Sequence, residues 1–430
     1  MGHLLGLQTR VSAPSPTLRE RVKDVVVIAS SSRGGSSLLA EILRRIPGLL
    51  HFHGEVNPFF VLAGLAFPES RTGSDRLDAS HLALEPQVRA LDQLLLEDCG
   101  VPVDDLTSPD LRSRFLQRLL WRLAAQWPGL DVRPDELEKA LDCALPTTTP
   151  ADSSSLHLRI LLALRPRYPD INPYYYDIAR DRVREADPAI PFPDGPHSGR
   201  IVEEPPFITP PPTRPPSPEE LEHHPLVIKT PSNAYRLPFL AGFFPRARFR
   251  VLHLTRNAAA SINGLFDGWR HLGFFSHPFP GRLAIPGYSD VCGPWAADWW
   301  KFDLPPGWEA FTHRPLTEVC AFQWRSAHEA TLDFLEHRPV DSHRLAFEQL
   351  LEPRTRTDAL KSLAQWLGVP LEAPATTEIF AQLPVIMATD HPRNHRWLER
   401  AEMLEPVLAS PPLRDTMRRL GYDDVPDTWL

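Results

Sequence analysis

Runs of apolar residues alternate along the chain with stretches in which apolar positions recur every three to four residues. The run at 25–29 is wholly apolar, which is typical of a strand buried on both faces of a parallel sheet. Apolar residues then recur at helical spacing from Leu38 to Ile46, and Pro47 with Gly48 predicts the end of that helix. The opening of the chain therefore predicts a strand, a polar turn and a helix.

The same succession of strand and helix returns later in the chain. Further strands are predicted at 49–52, 225–229, 248–255 and 343–348. Helices are predicted after TPSN at 230–233, at 258–270 and at 354–367. Strands that alternate with helices indicate an α/β fold, in which helices flank a parallel β-sheet.

A long segment between the second and third predicted strands breaks this alternation. It is mostly helical by pattern over 75–165, as in LRSRFLQRLLWRLAAQ, and it then becomes rich in proline over 188–220. Proline has no backbone N–H, so this second stretch is expected to be irregular. We therefore expect a flexible N-terminus at 1–23, an α/β core formed by 24–60 and 225–430, and a helical, proline-rich insertion at 61–224 that binds the acceptor.

Composition and charge exclude several classes of protein. The net charge of −8 argues against a general binder of nucleic acid or anionic membranes, because such proteins need a basic face. No apolar run approaches the roughly 18 residues of a membrane span. The four cysteines lie far apart and have no zinc-binding spacing. We expect a cytoplasmic protein, and the arginine-rich, lysine-poor composition suits a bacterial one.

The turn after the first strand is made of small residues and a single arginine. It has the sequence SSSRGGSS at 30–37. A turn of this kind between a strand and a helix offers backbone N–H groups and the helix dipole to an anion. Ligands bind beyond the carboxyl ends of parallel strands. Polar residues at those predicted ends are Arg33, His53, Glu55, Lys229 and Arg256.

Three segments resemble sulfotransferases that use 3′-phosphoadenosine 5′-phosphosulfate (PAPS). SSSRGGSSLL is similar to their phosphosulfate loop, and VIKTPSNAYRLPFLAGFFPRARFRVLHLTRN is similar to the series that leads to their 3′-phosphate site. AFEQLLEPRTRTDALKSLAQWLGVP resembles a later segment of the family. The resemblance covers 24–60 and 225–422. It implies the P-loop NTPase-like sulfotransferase fold, PAPS as donor with no metal requirement, and a hydroxyl acceptor that is a small molecule or a carrier-bound, secondary-metabolite-like compound.

The resemblance also implies which residues bind the nucleotide. They belong to the turn, to the fourth predicted strand and its helix, and to the late basic loop HPRNHRW: Arg33, Gly34, Gly35, Ser36, Ser37, Arg256, Ser261, Arg393 and Arg396. The family usually has a 3′-phosphate serine eight residues after the arginine at the strand end. Gly264 occupies that position here, so we expect Ser261 or Asn263 to substitute for it.

The catalytic residues follow from the same resemblance. Lys229 is expected to neutralise the oxygen that leaves with the nucleotide. Cytosolic members carry a catalytic histidine where this chain has Pro231, so another group must accept the proton of the acceptor. The HGE stretch at 53–55 is similar to the glutamate-bearing stretch of other members. We expect Glu55 to be the general base, with His53 as the alternative.

Trp295, Trp299 and Trp300 cluster in the predicted irregular segment 274–311. Such a cluster suits either a lid over an organic acceptor or ordinary packing beneath a loop. Two other functions are an ATP-dependent kinase and a non-catalytic nucleotide-binding interaction protein. The absence of a GxxxxGK[ST] motif argues against the first, and the retained Lys229 and Glu55 argue against the second.

Overall fold

The computed structural model describes residues 17–149, 152–197, 201–370, 383, 386–387, 389 and 393–422. Its strands, in chain order from β1 to β9, are Asp24–Ala29, Leu50–His51, Val101–Pro102, Thr213–Arg214, Leu226–Lys229, Arg248–Thr255, Phe275–Pro278, Trp299–Lys301 and Asp341–Ala346. Five of them form one sheet in the order β2-β5-β1-β6-β9, and all of its pairings are parallel. The expected parallel α/β sheet is confirmed.

The helices surround this sheet and fill the insertion. In chain order, α1 to α16 are Leu18–Arg21, Ser36–Arg44, Asn57–Leu62, Glu85–Asp98, Pro109–Gln126, Pro134–Ala144, Ser153–Leu164, Arg180–Ala186, Pro218–His223, Leu237–Phe243, Ala258–Arg270, Leu316–His337, Phe347–Leu351, Pro353–Leu367, Ala401–Leu408 and Pro411–Arg419. None of these described helices has both the length and the apolarity that crossing a membrane requires.

Strand β1 is the centre of the fold. Val25 and Val27 pack into one hydrophobic cluster, whereas Val26 and Ile28 pack into a second cluster on the other face of the sheet. Because both faces of β1 are buried, every residue of the strand after Asp24 is apolar, and the run 25–29 has no alternation. This arrangement brings the ends of β1, β5 and β6 side by side at one edge.

Several expected boundaries were wrong. The last strand was expected at 343–348, but β9 spans Asp341–Ala346, because it pairs with β6 from Arg250 onward and a helix begins at Phe347. The segment 274–311 was expected to be irregular, yet it contains the antiparallel pair β7 and β8. The proline-rich stretch 188–220 likewise contains β4 and the start of α9. Ser217 caps that helix, and a proline at its first position needs no N–H partner.

The insertion consists of two parts that pack differently. Helix α4 packs against the sheet, where Val88, Leu91 and Leu95 join the same cluster as β1. The helices from α5 to α8 instead surround a separate core that includes Phe115 and Phe207. The first part therefore extends the α/β core, and the second is a cap with its own interior.

A buried ionic cluster joins these two parts. Asp98 at the end of α4 accepts hydrogen bonds from Arg118 and Arg122 of α5, at 3.0 and 3.1 Å. Arg122 also donates to Glu203 at 3.1 Å, and Arg118 donates to Thr213 of β4 at 2.5 Å. All of these charged side chains are buried, so each charge depends on its partner. Asp98 is the link between the sheet side and the cap.

Replacing Asp98→Asn is expected to lower the free energy of unfolding by about 3 kcal/mol, because it leaves Arg118 buried without a carboxylate. Asp142→Asn is the matched control, since Asp142 pairs with Arg112 on the surface with 62% of its side chain exposed. The control is expected to cost less than about 1 kcal/mol. Urea unfolding measures both. Equal costs for the two variants would show that the cluster does not hold the cap to the core.

Candidate functional site

A cavity of about 660 Å³ lies at the carboxyl ends of the central strands. Its lining comes from the turn after β1, from Glu55 after β2, from Lys229 at the end of β5 and from Arg256 after β6. The opposite wall is formed by 201–208 of the insertion together with residues from 274–278 and 302–303. The strand ends that the sequence predicted as a ligand site therefore do meet around one cavity, and the insertion completes it.

In the turn after β1, the backbone passes very close to the side chain of Phe347. Gly35 has φ of +94°, and a Cβ atom at this position would lie 2.2 Å from the ring of Phe347. Only glycine fits this combination of backbone angle and space. Helix α2 begins immediately afterwards at Ser36, and no side chain caps its N-terminus. Ser36 and Ser37, in its first turn, both line the cavity.

Lys229 connects this turn to the predicted base. Its Nζ donates to Ser37 Oγ at 3.0 Å and to Glu55 Oε1 at 2.5 Å. The Lys229 side chain is 10% exposed and that of Glu55 is 29% exposed, so Glu55 is the more open of the two. The backbone N–H of Val56 donates to Thr230 Oγ1 at 2.9 Å, which fixes Glu55 beside the end of β5.

Two half-buried arginines, Arg33 and Arg256, lie next to each other in the cavity lining. Burial, followed by the charge of Arg256, lowers the pKa of Arg33 to about 10, and burial is also the main cause that lowers the pKa of Arg256. Arg33 donates to Met387 O at 2.8 Å, and Arg256 donates to Arg33 O at 3.1 Å. Nε of Arg256 is buried without a hydrogen-bond partner among the described residues. Two adjacent cations with donors to spare form a site suited to an anion.

The late basic loop also reaches the cavity. Arg393 and Arg396 both line it. Arg393 pairs with Glu399 at 2.6 Å, and Arg396 pairs with Asp267. The other residues of HPRNHRW that precede Arg393 lie outside the described residues.

The family's 3′-phosphate serine is replaced by Gly264 here, and the two candidate substitutes, Ser261 and Asn263, differ in whether they line the cavity. Asn263 and Gly264 line the cavity, whereas Ser261 is fully buried in α11 and does not. Asn263 Oδ1 accepts from Arg400 at 2.6 Å. A Cβ atom on Gly264 would lie 3.5 Å from Cβ of Arg33, which is ordinary van der Waals contact. The geometry favours Asn263 over Ser261 as the substitute.

Several of the residues that the sequence predicted for the site do not line the cavity. His53 does not line the cavity, and burial, followed by the charge of Arg118, holds its pKa well below the usual range. Gly34 belongs to the turn but is not part of the lining. Trp299 and Trp300 are buried in a hydrophobic core, and Trp295 packs against Phe275 and donates to Asp194 O. None of these three tryptophans lines the cavity, so they do not form a lid over it; the aromatic residues of this segment that do line it are Phe274 and Phe302.

The sequence reasoning missed several polar side chains that line the cavity, among them Glu204, His277 and Asp303. Burial, followed by the charge of Glu55, raises the pKa of Glu204 to about 8. Burial also raises the pKa of Asp303 to about 6, and Asp303 accepts from Ser32 and Tyr235. For Glu204, the sequence offered one signal: two adjacent glutamates, Glu203 and Glu204, lie in a proline-rich stretch that was interpreted only as irregular backbone.

Comparisons with known protein families and with curated proteins find no match. Comparison with solved structures finds the sulfotransferase domain of the curacin biosynthetic pathway, at 12% identity and a TM-score of 0.37, covering 94% of this chain and 99% of that one. It also finds the sulfotransferase domain of the Synechococcus PCC 7002 olefin synthase, at 13% identity and 0.34, covering 94% and 96%. A sulfotransferase from Mycobacterium avium matches at 12% identity and 0.34, covering 94% and 78%.

All three neighbours belong to the family that the sequence motifs resemble. Their TM-scores lie below 0.5, so no residue role is transferred from them to this chain. The function is inferred from the cavity of the chain itself.

Proposed function

We propose that the chain is a PAPS-dependent sulfotransferase that acts on a hydroxyl group. The observation that carries this proposal is the position of Lys229, whose Nζ contacts Ser37 of the anion-binding turn and Glu55 within one cavity. An anion site, a cation and a carboxylate are thus adjacent. These are the groups required to hold a phosphosulfate, to stabilise a leaving phosphate oxygen and to remove a hydroxyl proton.

The donor side of the cavity fits a nucleotide with two anionic ends. The turn at Gly35, the first residues of α2 and Arg33 would hold the 5′-phosphosulfate. Arg256 would pair with the 3′-phosphate, because its buried Nε has no hydrogen-bond partner within the described residues. Arg393 and Arg396 line the same side and would add positive charge. Arginine and lysine side chains supply all of the charge in this account.

When bound, the nucleotide supplies the sulfuryl group. Glu55 accepts the proton of the acceptor hydroxyl as the new oxygen–sulfur bond forms. Lys229 donates to the phosphate oxygen as the bond between that oxygen and sulfur breaks. The backbone N–H groups of the turn and Arg33 hold the equatorial charge in place.

The pairing of Lys229 with Glu55 has a consequence for catalysis. Oε1 of Glu55 accepts a hydrogen bond from the Lys229 ammonium group at 2.5 Å, so this oxygen is already occupied. Lys229 would also be the donor to a phosphate oxygen bound beside Ser37. Donor binding would therefore draw Lys229 away from Glu55 and make the carboxylate available for the acceptor.

The acceptor is a hydroxyl compound that is either a free small molecule or bound to a carrier. It enters beside the insertion, whose residues 201–208 form the wall that faces Glu55 and Lys229. The insertion shares no motif with the family, and it would therefore set acceptor specificity without altering nucleotide affinity.

The first prediction concerns the nucleotide. Adenosine 3′,5′-bisphosphate is expected to bind roughly 10 to 100 times more tightly than adenosine 5′-monophosphate, because a charge-assisted pair with Arg256 contributes about 1.5–3 kcal/mol. Isothermal titration calorimetry measures both affinities. The Arg256→Met variant should lose most of this difference. Equal affinities in the unmodified protein would refute the assignment of the 3′-phosphate site.

The second prediction concerns the base. Glu55→Gln is expected to lower the rate constant of sulfuryl transfer by about 10² to 10⁴ fold, because the amide cannot accept the proton. Its affinity for adenosine 3′,5′-bisphosphate should remain close to that of the unmodified protein. His53→Ala is the comparison, and we expect a smaller loss because His53 does not line the cavity. A near-normal rate in Glu55→Gln would move the role of base to another residue.

A further inference from the structure

The two sides of the cavity differ in chemistry. The donor side carries the arginines described above. On the acceptor side, the apolar residues Phe67, Ile201, Val202 and Pro206 line the cavity together with polar residues that include Glu204 and His277. This contrast restricts the kind of acceptor that the cavity can bind, given the sulfotransferase function proposed above.

Each cation described on the acceptor side already has a carboxylate partner. Lys229 pairs with Glu55. Arg122 pairs with both Asp98 and Glu203, and its exposed fraction is only 3%. An anionic group on the acceptor would find no uncommitted cation among the described residues of this wall, and it would have to displace a buried ion pair.

Glu204 is in the opposite situation. It lines the cavity, and its carboxyl accepts a hydrogen bond from Ser276 of β7. Within the described part of the chain it forms no salt bridge. The charged groups that act on it are Glu55, Asp75, Lys229 and Lys301. Two of these repel a negative charge on Glu204, and Lys301 is committed to the carbonyl oxygens of His271 and Gly273.

A second titratable group lies on the same wall. His277 is 6% exposed and lines the cavity beside Ser276. Its Nε2 lies 3.8 Å from Asp75 Oδ1, so the charge of Asp75 is matched within the protein. Of the two carboxyl groups near His277 and Ser276, only Glu204 lines the cavity.

We propose that the acceptor is a hydroxyl compound with an apolar skeleton and a basic amine, and that Glu204 is the carboxylate that pairs with the amine. The apolar lining buries the skeleton, Glu55 and Lys229 face the hydroxyl, and Glu204 selects the cation. Acceptors that carry a carboxylate or phosphate near the hydroxyl are excluded by the same charges. Glu204 is therefore a specificity-determining residue for the proposed reaction.

This assignment has a proton-linked signature. The pKa of Glu204 is raised to about 8, so its carboxyl is mostly protonated at pH 7 in the free protein. An ammonium group beside it favours the ionised form and lowers that pKa, so binding releases a proton. The expected release at pH 7 approaches one proton for each amine bound. A neutral alcohol of the same size should release none.

The experiment uses three matched series of acceptors with two to six carbons: ω-amino alcohols, 1-alkanols and ω-hydroxy acids. Each compound is titrated into the full chain saturated with adenosine 3′,5′-bisphosphate, by calorimetry at pH 7 in two buffers with different ionisation enthalpies. The best amino alcohol is expected to bind at least about tenfold more tightly than the alkanol of equal length. The binding enthalpy measured in the two buffers should differ by nearly the full difference between their ionisation enthalpies, because nearly one proton is released to the buffer.

Glu204→Gln tests the residue, because the amide keeps the shape but can neither ionise nor pair with an ammonium group. It should bring the amino alcohol to within about twofold of the alkanol and abolish the proton release, with nucleotide affinity unchanged. Glu219→Gln is the control, since Glu219 is an exposed residue of α9 far from the cavity lining. It should retain both the preference and the release.

Two results would overturn the inference: a preference for the hydroxy acids, or an amine preference that persists in Glu204→Gln. Failure here is distinguishable from failure of the sulfotransferase proposal. If the nucleotide binds and 1-alkanols are sulfated without any amine preference, only the acceptor class is wrong. If the 3′-phosphate makes no difference to nucleotide binding, the sulfotransferase proposal itself fails.

Discussion

The arrangement of the site depends on one buried lysine. Lys229 is the last residue of β5, and its ammonium group is held between Ser37 of the turn after β1 and Glu55 of the segment after β2. A parallel sheet places the carboxyl ends of neighbouring strands at one edge. Three segments that are far apart in the sequence therefore lie within hydrogen-bond distance of Lys229 Nζ or carry it. Any ligand anion that competes for Lys229 changes the charge state that Glu55 experiences. In the proposed function, donor binding and acceptor activation are coupled through this contact.

The insertion adds a second constraint, which is electrostatic. Its ionic cluster of Asp98, Arg118, Arg122 and Glu203 is internally paired, so it holds the cap on the sheet without offering a free charge to the cavity. Glu203 and the next residue, Glu204, both line the cavity, but only Glu203 belongs to this ionic cluster. Phe274 N donates to Pro205 O at 2.5 Å, which ties this segment to the α/β core. The cap thus delivers a carboxyl group to the wall where Ser276 and His277 of β7 also lie.

Much of the fold was predictable because the central strands are buried on both faces, which forces uninterrupted apolar runs such as 25–29. The same topology made Arg33, Glu55, Lys229 and Arg256 predictable as neighbours. The sequence favoured Glu55 as the base and kept His53 as the alternative. That Glu55 lines the cavity and His53 does not depends on tertiary packing, which the sequence motif does not specify. Glu204 depends on a proline-rich segment that crosses back over the sheet. Trp300 is buried in a hydrophobic cluster built from distant segments, and Trp299 is buried against Phe275 of the neighbouring strand. No local pattern specifies this packing.

The most direct test is a crystal structure of the chain with adenosine 3′,5′-bisphosphate. The account predicts the 5′-phosphate on the backbone N–H groups of the turn at 34–37, with Lys229 Nζ within hydrogen-bond distance, about 3 Å, of a phosphate oxygen. The 3′-phosphate should contact Arg256, and Glu55 should be released from Lys229. A nucleotide bound outside this cavity, or a 5′-phosphate that leaves the pair of Lys229 and Glu55 intact, would contradict it.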